Sequence, residues 1–146
     1  MKPSIVKDKS YRFALEIIRF GRRLREEKEY EIAGQLLRAG TSIGANVEEA
    51  LAGVSRADFV VKMAIASKEA REAHYWLRLV HDSKVLPTDV TNPMLERADE
   101  LLRILTAIVK TAQTRKQLKT QNSNLFYCSS GSVTVKVEPF PGSLSA

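Results

Sequence analysis

Apolar residues recur along most of this chain at steps of three, four and seven, the spacing of one helix face. The first stripe is Phe13, Ile17, Phe20 and Leu24, widened by Ala14, Leu15 and Ile18. Arg12, Glu16, Arg19 and Arg23 form its charged counterpart. A second stripe runs through Ile32, Leu36, Ile43, Val47 and Leu51, with Leu37 and Ala50 beside it. Ala39, Gly40, Ser42, Gly44 and Ala45 lie between, small enough for another backbone to come close. Gly40-Thr41-Ser42 has poor helix propensity, and Asn46 before Glu48 and Glu49 has the character of a fresh cap. That stretch therefore reads as one helix, kinked or not, or as two short ones. The third stripe, Phe59, Met63, Ala66, Ala70, Ala73, Leu77 and Val80, keeps four-three spacing behind a Ser55–Asp58 capping signature. It predicts a helix from Arg56 to Ser83. The fourth, Met94, Ala98, Leu101, Leu105, Ile108 and Ala112, is flanked by Leu95, Leu102 and Val109. Its helix is expected to start at Thr88 or at Asn92-Pro93 and to fade near Lys119.

Four long amphipathic segments with short connections predict an all-α, antiparallel up-down-up-down four-helix bundle over residues 1–119. Met1 to Lys7 reads as a short arm, with Asp8 or Ser10 capping the first helix and a break near Glu27–Tyr30. From Thr120 the composition turns polar, through QNSN, SSGS and PFPG. Val133, Val135 and Val137 alternate with polar residues, but one strand alone is not stable in water. Residues 120–146 are thus expected to be a flexible, disordered tail or a single strand that depends on a partner.

Charge changes the picture more than composition does. The formal net charge of +6 is held at the chain ends. Residues 1–28 have nine basic and four acidic groups, and residues 110–146 have five and one. In an alternating bundle, the start of helix one, the turn between helices two and three, and the end of helix four share one end. Lys7, Lys9, Arg12, Arg56, Lys110, Arg115, Lys116 and Lys119 gather there, opposed in this reading by Asp8 and Asp58. Such a cluster attracts a phosphate backbone, as RNA or DNA. A merely solubilising end is the competing reading. No aromatic residues interleave with the cluster, so base stacking is not indicated. The single cysteine, Cys128, fits a reducing cytoplasm, and no apolar run suits a secretory signal or a membrane span.

Catalytic chemistry is hard to find. His74 and His81 lie seven apart, but the helical neighbours of His74 are Ala70, Arg71, Leu77 and Arg78, which are not metal ligands. Glu69 and Glu72 share a side, yet no Glu-x-x-His supports a di-metal bundle site. Glu48 and Glu49 point to different sides of one helix and suit solvation or interhelical pairing. Trp76 reads as a packing anchor. No catalytic residue, metal site or cofactor is expected.

The run QLLRAGTSIGANVEEA, residues 35–50, resembles the Gln-Leu-x-Arg-Ala…Ser-Ile-x-Ala-Asn signature of small bacterial four helix bundle proteins. These are related to proteins encoded by intervening sequences in large-subunit ribosomal RNA genes. The resemblance covers roughly residues 9–116, and many relatives carry Pro where Gly44 stands. It implies a bundle that assembles as a homopentamer. A more distant likeness is to the accessory protein of diversity-generating retroelements, which binds a reverse transcriptase and nucleic acid. The resemblance thus adds the chain itself, RNA or DNA, and a reverse transcriptase as partners. Together these features predict a non-enzymatic nucleic-acid-binding or ribonucleoprotein accessory scaffold. The alternative is a protein-interaction scaffold with no nucleic-acid role.

Overall fold

The computed structural model describes the backbone of residues 4–127 and the side chains of residues 4–114. Four helices follow in order: α1 (Ile5–Glu26), α2 (Tyr30–Ala52), α3 (Arg56–Ser83) and α4 (Thr88–Tyr127). The chain divides into two units, Met1–Gln113, which holds the bundle, and Thr114–Ala146, of which residues 114–127 are described, as the last part of α4.

Contacts between helices establish the bundle and its directions. Lys7 meets Glu48, and Ile17 lies against Gly40, so α1 and α2 run antiparallel. Lys62 pairs with Glu49, and Arg38 with Glu72, which reverses α3 against α2. His81 reaches Thr91, and Arg71 reaches Thr106, which reverses α4 against α3. Glu16–Arg97 and Lys9–Glu100 close the circle between α4 and α1. Each helix therefore flanks its sequence neighbours, and α4 returns to α1: an antiparallel up-down-up-down four-helix bundle.

The core is the set of residues that the four stripes bring together. Phe13, Ile17, Phe20 and Leu24 of α1 meet Leu36, Ile43 and Val47 of α2. Met63, Leu77 and Val80 of α3 join Leu101 and Leu105 of α4. Alanines 66, 70 and 73 are buried at the middle of α3, where their size permits close packing. Trp76 packs against this core, its ring edge-on to Tyr75 at 5.3 Å, and its indole N–H donates to Glu72 at 3.4 Å.

Several local expectations are corrected. α1 begins at Ile5, not after Lys7, with Ser4 at the extended N-cap position just past Pro3. Ser10 is buried inside the helix and its hydroxyl donates to the Lys7 carbonyl at 3.0 Å, so it caps nothing. The turn into α2 is a Schellman motif: Glu29 N–H bonds Leu24 O at 2.9 Å and Lys28 N–H bonds Arg25 O at 3.0 Å. Lys28 holds the left-handed position at φ 65°.

α2 is one continuous helix. Its awkward polar residues bond back to the preceding turn. The Thr41 hydroxyl donates to Leu37 O at 2.8 Å, and the Asn46 amide to Ser42 O at 2.9 Å. Asn46 is thus a helix-interior residue. The stripe leaves α2 through Ala50, while Leu51 stays 44 % exposed. α4 starts at Thr88 and carries Pro93 within it. It also passes Lys119 and runs to Tyr127, since neither glycine nor proline interrupts residues 94–130. The valine alternation at 133–137 and Cys128 lie outside the described residues.

Candidate functional site

Within residues 1–113, the end of the bundle predicted to be basic is built from the start of α1, the α2–α3 turn and the stretch of α4 up to Lys110. Its cations are not free as a set. Lys7 Nζ lies 2.8 Å from Glu48 Oε2, and Lys9 Nζ lies 2.8 Å from Glu100 Oε1. Lys62 pairs with Glu49 at the same end. The acids opposing this cluster are therefore more than Asp8 and Asp58. Antiparallel packing sets the end of α2 beside the starts of both α1 and α3, so consecutive glutamates serve one helix each. Arg12 and Arg56 are exposed and make no ion pair among the described residues. Lys110 is exposed and engaged with a partner. Arg115, Lys116 and Lys119 lie on the backbone of α4, their side chains outside the described residues.

The groups with metal-ligand chemistry do not converge on a common site among the described residues. Arg38 pairs with Glu72 and approaches Glu69 Oε2 at 3.9 Å, so a guanidinium stands where a divalent ion would need both carboxylates. His74 Nε2 lies 3.1 Å from Asp99, and His81 Nδ1 shares a 2.8 Å hydrogen bond with the buried Thr91 hydroxyl. Both histidines tie α3 to α4. Among the described residues, no group of three or more His, Cys, Asp or Glu is placed to hold a metal ion.

A second basic surface lies between α1 and α4. Arg19 and Arg23 wall a groove of about 340 Å³ over Phe20, Val90, Pro93 and Met94. Glu16 and Arg97 bridge it at 2.7 Å, and beyond them a smaller hollow of about 220 Å³ opens beside Lys9, Arg12 and Leu101. Local spacing pairs Arg23 with Glu27 and Arg22 with Glu26, but neither ion pair is present among the described residues. The signal was in the chain: Arg12, Glu16, Arg19 and Arg23 follow i, i+4, i+7, i+11. What that row faces depends on where α4 lies.

The outward side of α1 carries a different feature. Tyr11, Leu15 and Ile18 follow i, i+4, i+7 and are exposed by 61, 40 and 37 %. Leu95, Leu102 and Val109 of α4 instead pack partly buried against the core.

Comparison with known proteins identifies the family. The 23S rRNA-intervening sequence protein family matches residues 2–107. The chain belongs to that family. The chain is also similar to a crystal structure of a protein of unknown function from the S23 ribosomal protein family of Bacteroides thetaiotaomicron VPI-5482. The two share 41 % identity and a TM-score of 0.70, over 73 % of this chain and 99 % of the other. No curated protein matches. Among the described residues, no helix is long and apolar enough to cross a membrane.

Proposed function

We propose that this protein is a non-enzymatic scaffold that assembles with copies of itself. One observation carries the reading: the exposed row Tyr11, Leu15 and Ile18, an apolar face that the bundle does not use for its own core. Burying such a row against a second copy removes apolar area from water at no cost to the fold. The family resemblance supplies the number five; the row itself asks only for a partner face. The test is sedimentation equilibrium of the wild type beside Ile18→Glu. Wild type should be oligomeric at micromolar concentration and Ile18→Glu shifted towards monomer with its helix content unchanged. A monomeric wild type would sink the proposal.

Nucleic-acid binding by the assembled scaffold is the second reading. Arg12 and Arg56, without an ion pair among the described residues, favour it, since assembly repeats these cations and raises the local potential. Lys7 and Lys9 add less than their number suggests, because Glu48 and Glu100 neutralise them. A reverse transcriptase as partner rests on the distant likeness alone. If the phosphate backbone is the ligand, affinity should fall steeply with salt. Changing Arg115, Lys116 and Lys119 together to Glu should then flatten the slope of log affinity against log salt, by about one unit for each phosphate no longer neutralised. An unchanged affinity and slope would leave a scaffold for proteins only.

A further inference from the structure

The groove between α1 and α4 combines an apolar base with a cationic wall. Its base is apolar. Phe20 and Met94 are core residues, 3 and 5 % exposed, and Val90 and Pro93 extend the base to the rim. Its wall is cationic. Glu16 already has Arg97 at 2.7 Å, so the local carboxylate is used. Arg19 and Arg23 are exposed and have no acidic partner among the described residues. Arg12 continues the row into the adjoining hollow. A ligand complementary to this surface brings carboxylates for the wall and a small apolar group for the base.

Helix geometry narrows the partner further. Arg19 and Arg23 are four residues apart, a rise of about 6 Å along α1. Two acids four apart on another helix have the same separation. A helix laid along the groove can therefore set one carboxylate on each guanidinium and an apolar side chain between them. A nucleic-acid strand is the poorer fit. Its bases need an aromatic face to stack on. Phe13 and Phe20, the aromatic residues here, are 2 and 3 % exposed.

We propose that the α1–α4 groove is a docking site for an acidic amphipathic helix of a partner protein, held by Arg19 and Arg23 with its apolar anchor against Val90 and Pro93. This is separate from self-assembly, which uses the neighbouring outward face of α1.

The test is a display library of 15-residue helical peptides that are acidic, neutral or basic, screened against the full chain and against Arg19→Glu/Arg23→Glu. Both arginines are exposed, so the double variant should keep its helix content and its sedimentation behaviour. Wild type is expected to select peptides with acids four apart flanking an apolar residue. The double variant should bind these at least tenfold more weakly and select peptides with lysine at the same positions instead. Selection that ignores peptide charge, or acidic peptides bound equally by both proteins, would overturn the proposal. A 20-nucleotide single strand that binds wild type, loses affinity in the double variant and outcompetes the acidic peptides would overturn it in favour of a phosphate backbone.

Discussion

A methyl group at position 40 would come within 2.8 Å of both γ carbons of Ile17 and 3.1 Å of its Cβ. The Cβ cannot swing away without moving α1, so Gly40 sets how closely α1 and α2 approach. At Gly34, on an exposed part of the same helix, a methyl group meets nothing within 4 Å. The two alanine substitutions should therefore have opposite signs. Gly34→Ala should gain about 0.5–1 kcal/mol from reduced freedom of the unfolded chain. Gly40→Ala should lose roughly 1–3 kcal/mol through overpacking. Urea denaturation of both variants checks this, and equal shifts of one sign would mean the helices are not in close contact there. Leu77, with no exposed surface, should cost roughly 2–5 kcal/mol when changed to Ala.

At the scale of the element, the start of α3 and the end of α1 are each set by a local device. Ser55 accepts the Asp58 N–H at 3.1 Å, so α3 starts where its sequence signature says. Ser55→Ala should cost about 1 kcal/mol. The turn after α1 has a lysine where glycine is the usual choice. Holding Lys28 at φ 65° is strained for a residue with a Cβ. Lys28→Gly should relieve this and, after the added freedom of the unfolded chain, raise stability by about 0.5–1 kcal/mol. Thermal unfolding that leaves Lys28→Gly at or below the wild type would show that the turn is set by packing rather than by its backbone. Four elements were legible in sequence because hydrophobic spacing and capping are local. Less local features were not. The continuity of α2 rests on side chains bonding back to the preceding turn, and the length of α4 on the absence of any breaker rather than on a marked end.

For the whole molecule, self-association makes stability depend on concentration. If the Tyr11–Leu15–Ile18 face joins copies, the midpoint of thermal unfolding should rise with protein concentration in the wild type. It should stay flat in Ile18→Glu. A flat wild-type curve from low to high micromolar concentration would count against assembly through this face. The interhelical ion pairs join side chains that are partly exposed, each contributing about 0–1 kcal/mol. Their larger role is to decide which cations remain available to a ligand.

Apart from the continuity of α2, the start of α1 and the end of α4, the sequence by itself determined the helices, their order, their core faces and, from their number and short connections, the bundle. Each depends on residues within a turn or two of one another, or on the need of four apolar stripes for one shared interior. Only the tertiary structure decided the charge map. Lys7 and Glu48 are forty-one positions apart, and Lys9 and Glu100 ninety-one, so no spacing rule pairs them. For the same reason Arg19 and Arg23 gain a meaning that their own helix does not contain. They become one wall of a groove because α4 returns beside α1 and places Met94 at its base and Arg97 across it.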